Sequence, residues 1–171
     1  MEYSVGETVV YGGSGVCEIS EIKDVQFGRE RPQKYYILKP LFDKQALVVY
    51  VPFNNEKLTA KIQPIISKEE ALDLIRGIGT YDCEWIEDRN LRKETYTDMV
   101  SSGERKSIIG VISAISGHRD RLADEGKSLN MQDEKLLYEA QKRMDAEFAV
   151  ALELEYEDVQ EFIRVEKAKA V

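Results

Sequence analysis

Apolar residues in the first fifty positions fall in short β-branched and aromatic clusters separated by turn-forming residues, the pattern of strands rather than helices. Val5, Val9, Val10 and Tyr11 are followed by Val16, Ile19 and Ile22, then by Tyr35, Tyr36, Ile37 and Leu38, then by Leu47, Val48, Val49, Tyr50 and Val51. Gly12, Gly13 and Gly15, the stretch 28–32 and the stretch 40–44 supply the breaks. Four or five strands are predicted between Ser4 and Pro52.

After Pro64 the period lengthens to that of helices. Ser67-Lys68-Glu69-Glu70 has the form of a capping box, and the helix it opens carries Ala71, Leu72 and Ile75 before Gly77 and Gly79 end it. A second helix is predicted over about 83–101, carrying Trp85, Leu91, Tyr96, Met99 and Val100, with Ser102-Gly103 as its stop. A third, about 104–116, sets Ile108, Ile112 and Ile115 on one stripe and closes at Gly117. Asn130 is the natural N-cap of a fourth, where Asp133 and Glu134 complement the helix dipole and Leu137, Ala140, Met144, Phe148 and Leu152 trace the apolar face. A fifth begins near Glu157 and frays over 166–171. A sheet of that size hides its apolar face by curling on itself. The expected fold class is therefore α+β: a small SH3-like or Tudor-like β-barrel over 1–62, then an all-α domain of about five helices over 67–171.

Composition narrows the function classes. With 171 residues, 43% of them hydrophobic, the chain can bury a core without help from metals or disulfides. Its longest near-apolar run, 46–53, is broken by Pro52 and falls short of the ~18 residues of a membrane helix. The first twenty residues alternate polar with apolar and lack the form of a signal peptide, so a cytoplasmic monomer with no membrane contact is expected. Cys17, Cys83 and a single histidine give neither a disulfide framework nor a zinc set, so no metal and no cofactor are expected.

Net charge is −8 overall, and residues 1–66 balance at zero, so the whole excess lies in the second part. Non-specific DNA binding draws on phosphate neutralisation, and an acidic chain with pI near 4.9 should bind naked DNA weakly. Gly12-Gly13-Ser14-Gly15 lacks the Gly-Lys-Ser/Thr ending of a phosphate loop and reads as a turn. A Cys/His nucleophilic pair would need His118, placed by Gly117 in a loop after a helix stop, to meet Cys17 or Cys83. No catalytic residue is assigned and no enzyme is expected.

Trp85 is the most informative residue. It is the sole tryptophan, set among Asp82, Glu84, Glu87 and Asp88, and on a helix Arg89 and Arg92 would follow on its face with Lys93 one step round. One reading is an aromatic wedge beside cationic phosphate contacts, as in minor-groove proteins. The other is a core tryptophan with an arginine stacked on it.

The strings VGETVVYGGSGVCEI, YYILKP, LVVYVP, WIEDRNLRKE, SSG, GKSLNMQDEKLL and EFAVALEL, in this order, resemble the CarD-like (CarD/CdnL) bacterial transcription regulators. The N-terminal part is similar to the RNA polymerase-interacting domain of the transcription-repair coupling factor. The resemblance implies that the barrel docks on the polymerase β subunit through the edge strand at Val49, Tyr50, Val51 and Pro52. There the family often has an arginine where this chain has Tyr50. It further implies that the helical domain contacts promoter DNA at the upstream edge of the bubble and stabilises the open complex, with Trp85 as wedge and Arg89, Arg92 and Lys93 as DNA contacts. The alternative is an interaction adaptor that docks on polymerase or another partner without touching DNA.

Overall fold

The computed structural model describes residues 2–169. It divides into two compact units, 1–65 and 66–171.

In the first unit the clusters of β-branched and aromatic residues pair into one antiparallel sheet. Strands β1 (Thr8–Tyr11), β2 (Gly15–Val25), β3 (Gln33–Pro40), β4 (Val49–Pro52) and β5 (Ile62–Pro64) lie in the order β4-β3-β2-β1-β5. The ladder ends at β4 on one side and β5 on the other, so the observed element is an open five-stranded sheet and not a hydrogen-bonded closed barrel. A single 3₁₀ turn, Gly12–Ser14, joins β1 to β2. Gly12, its first residue, and Gly15, just after it, have φ 41° and 68°, a backbone region that glycine enters without steric cost. The Gly-rich segment is thus a hairpin turn. β2 is long enough to pair with both neighbours, and its register shifts between Ile19 and Glu21, where the Ser20 hydroxyl donates to the Ile37 carbonyl.

Alternation along the strands sends Val9, Cys17, Ile19, Tyr36, Leu38, Val51 and Ile62 to one buried cluster. Each fully buried aliphatic side chain there contributes about 1.5–3 kcal/mol. Tyr36 stacks on Phe53 at 4.1 Å between centroids. A short helix, α1 (Glu56–Thr59), capped by the Asn55 side chain, turns the chain from β4 into β5. Neither α1 nor β5 stands out in the apolar pattern, because three- and four-residue elements carry too few positions to show a period.

Among the described residues the second unit has five helices: α2 (Lys68–Arg76), α3 (Arg89–Ser101), α4 (Arg105–Asp124), α5 (Met131–Ala151) and α6 (Val159–Lys169), the last preceded by a 3₁₀ turn at Tyr156–Asp158. The capping box at Ser67 and Glu70 is formed in both directions, with Ser67 N–H donating to Glu70 Oε2 at 2.7 Å and Glu70 N–H donating to Ser67 Oγ at 3.1 Å. Asn130 caps α5 by accepting from Asp133 N–H. Tyr96, Val111, Ile115, Leu136 and Leu137 form the core between α3, α4 and α5.

Two helix boundaries differ from the sequence-based expectation. The chain over 81–88 is irregular, and α3 starts only at Arg89, where Asp88 supplies the cap by accepting from Leu91 N–H. Gly117 does not end α4, which runs on to Asp124 and so includes His118. The fraying expected over 166–171 is not seen as far as Lys169, and residues 170–171 lie outside the described residues.

Candidate nucleic-acid interface and docking edge

Trp85 sits in the irregular segment before α3, partly buried, and its surroundings explain why that segment is ordered without being helical. The carbonyls on either side of it are held by side chains from α3. Tyr96 Oη donates to the Glu84 carbonyl at 2.7 Å. Arg92 Nη1 donates to the carbonyls of Ile86 at 2.8 Å and Glu87 at 3.2 Å. Backbone acceptors that a helix would have satisfied internally are satisfied from outside.

Arg92 is itself anchored. Its side chain forms a two-pronged ion pair with Asp133 at the start of α5, Nε to Oδ1 at 3.0 Å and Nη2 to Oδ2 at 2.7 Å. Both residues are buried, Arg92 at 5% and Asp133 at 1% exposure. Asn130 Nδ2 adds a further bond to Asp133 Oδ2 at 2.6 Å. The planar fork of an arginine matches a carboxylate in this way, and a buried charge needs such pairing.

The indole ring is bounded on its π surface. The Arg92 guanidinium carbon lies over it at 4.3 Å from the centroid. The His118 imidazole stacks on it at 3.9 Å with 18° between planes, and Tyr96 meets it edge to face at 6.4 Å. Trp85 is therefore both attached to the α3–α4–α5 core and partly open to solvent.

The four residues expected to contact DNA separate. Arg89 and Lys93 are exposed and one turn apart on α3, where two cations at i and i+4 share a face. Arg92 is not on that face: its guanidinium is engaged by Asp133 and two carbonyls, and it holds the Trp85 segment in place. Arg92, expected as a DNA contact, is buried and has internal partners for its guanidinium in this structure. His118, read from the sequence as a loop residue, instead stacks on Trp85. Its signal was present, since Ile108, Val111, Ile115, His118 and Leu122 continue one stripe at three- and four-residue spacing. Gly117, taken as a stop, hid it. Burial pushes the Cys17 thiol up to about 11 and raises that of Cys83 as well, the opposite of what a thiolate nucleophile needs.

In the sheet unit, the residues expected to face polymerase lie on an edge. β4 pairs only with β3, in the register Leu38 to Val49, Ile37 to Tyr50, Tyr36 to Val51 and Tyr35 to Pro52. Val51 points into the core with no exposure, Val49 and Pro52 are partly buried, and Tyr50 projects outward at 40% exposure. Tyr50 is surrounded by rings: Phe27 at 5.3 Å and Tyr35 at 6.2 Å, each nearly perpendicular to it, with Phe27 and Tyr35 in contact at 5.4 Å. Leu47 and Val48, just before β4, are exposed too. Where the resembled family often places a cation, this chain presents a partly exposed aromatic cluster.

An antiparallel sheet domain with an open, apolar edge, followed by a helical unit that holds an indole near its surface, defines a small two-module α+β protein. Residues 3–66 match the CarD-like/TRCF RID domain family, so the first unit is a domain of that family, which includes the RNA polymerase-interacting domain of the transcription-repair coupling factor. That match supports interaction with RNA polymerase and a transcription-related role, and it stops at the start of the helical unit. No curated protein matches the chain. Among the described residues, no helix is long and apolar enough to cross a membrane and no group of side chains could hold a metal ion.

Proposed function

We propose that the protein is a non-catalytic regulator of bacterial transcription that binds the β subunit of RNA polymerase through the β4 edge and contacts promoter DNA through the Trp85 region, stabilising the open complex. The observation that carries this reading is the partly exposed indole, held just ahead of the helix that carries the exposed cations Arg89 and Lys93, in a chain whose N-terminal unit is a polymerase-interacting domain. A sheet edge supports docking because its unpaired N–H and C=O groups accept another strand, and the Tyr50 cluster adds apolar area beside it.

The acidic balance fits a tethered mechanism. Binding to polymerase turns the DNA contact into an effectively intramolecular one, so high local concentration replaces intrinsic affinity. A wedge that fits partly unstacked DNA better than closed duplex shifts the equilibrium by that difference in affinity. Arg92 and His118 cover the ring, so the indole meets the duplex with its free edge and does not intercalate face-on.

Open-complex lifetime with native protein and with Trp85→Ala tests the reading. The variant should keep polymerase binding and shorten the lifetime about tenfold or more, since unstacking one base step is worth on the order of a few kcal/mol. An unchanged lifetime would remove the wedge. One observation favours an adaptor that never touches DNA: the helical unit carries the whole net charge of −8, and only Arg89 and Lys93 of its four expected contacts remain free to serve beside Trp85. Photo-crosslinking from position 89 or 93 to promoter DNA in the polymerase complex excludes the adaptor, and failure to crosslink supports it.

A further inference from the structure

We infer that His118 is a positioning residue for Trp85: its imidazole, stacked on the indole from α4, sets the ring's orientation and so the edge offered to DNA. This rests on the wedge reading above and extends it to a residue on a different helix. Pinned carbonyls at Glu84, Ile86 and Glu87 fix the backbone of the segment but leave χ1 and χ2 of Trp85 to be set by what its ring touches. Arg92 and Tyr96, both buried, come from α3. His118 closes the arrangement from α4 and is the only one of the three that is partly exposed, so it bounds the ring on the solvent side of the core. A half-exposed aromatic with one covering group removed gains rotamers, and a wedge that samples several orientations loses part of its preference for the unstacked step.

The placement of His118 fits that role. It continues the stripe of Ile108, Val111 and Ile115, all three buried and the last two in the core that Trp85 packs against, so a well-anchored helix delivers it to the indole. What positioning demands of the covering group is a planar ring.

The experiment is a mutant cycle on open-complex lifetime with the full chain and polymerase at saturating protein: native, His118→Ala, His118→Phe, Trp85→Ala, and the double variant Trp85→Ala/His118→Ala. Trp85 is the sole tryptophan, so its fluorescence anisotropy and acrylamide quenching report ring mobility directly. His118→Ala should shorten the lifetime roughly two- to tenfold, the range expected for loss of one aromatic pair, lower the anisotropy and raise the quenching. His118→Phe should restore all three, and His118→Ala should have no effect in the Trp85→Ala background. A lifetime unchanged by His118→Ala while Trp85→Ala shortens it overturns the inference and leaves the wedge standing. A loss that persists without Trp85 also overturns it, because His118 then acts on DNA or on the fold directly. If Trp85→Ala itself changes nothing, the wedge reading fails and the positioning role with it.

Discussion

The two units solve the same problem of internal order by different chemistry. Every buried residue of the sheet core is apolar or a cysteine or tyrosine, whereas among the described residues the four buried charged side chains, Arg92, Asp133, Asp145 and Glu147, belong to the helical unit. There, Arg105 forks onto Glu147 at 2.7 Å, and the Ile66 N–H donates to the same carboxylate, tying the start of the unit to α5. Alternating strands specify their partners through a two-residue period alone. Helices packed with wide apolar faces can slide and rotate, and a buried ion pair between α3 and α5 admits one register. In the helical unit that register decides where Trp85 lies, so the polar core is part of the site proposed to meet DNA, while the sheet core only presents an edge.

The sharpest way to break this contrast is Asp133→Ala. Removing the carboxylate leaves the Arg92 charge buried without its partner and should cost about 3–5 kcal/mol. Denaturation in urea followed through Trp85 fluorescence reads the helical unit alone, because the sheet unit contains no tryptophan. A loss below about 1 kcal/mol would mean that the ion pair does not specify the packing.

Asp145 provides a smaller and pH-dependent test. It is 8% exposed, accepts a bond from Gln160 Nε2 at 2.7 Å, and burial pushes its carboxyl up to about 6 from an ordinary value of 3.8. The folded state thus holds the proton more tightly than the unfolded chain. Its contribution to stability is complete below about pH 4, is lost as pH rises to about 6, and stays lost above that, by up to about 3 kcal/mol. Asp145→Asn keeps the acceptor for Gln160 and carries no charge. It should therefore stabilise the helical unit at pH 7–8, with the advantage vanishing below pH 4. Melting temperature against pH for the two proteins checks the sign.

The same contrast explains what the sequence made legible. The strands carrying Val9, Ile19, Leu38 and Val51 could be read from alternation, and the caps at Ser67 and Asn130 from local hydrogen-bonding chemistry. The pairing of Arg92 with Asp133 joins positions 41 apart in sequence, and no local pattern carries it. Without that pair, Arg92 looks like a surface cation and Asp133 like a dipole-compensating acid. The acidic residues around Trp85 suit a helix start, and Asp88 does cap a helix, nearly two turns later than expected. His118 was hidden by the residue before it, since a glycine inside a packed helix has the same local appearance as one that ends it.

In the proposed mechanism, docking and DNA action are separable and reside in different units. Open-complex lifetime measured across a concentration series of native protein, Tyr50→Ala and Trp85→Ala tests this most directly. Tyr50→Ala, altering the exposed ring at the β4 edge, should raise the concentration needed for half the effect several-fold and leave the plateau lifetime unchanged. Trp85→Ala should leave the half-saturating concentration unchanged and lower the plateau. If Trp85→Ala moves the concentration while the plateau holds, or if Tyr50→Ala lowers the plateau at saturation, the division of labour between sheet and helices is contradicted.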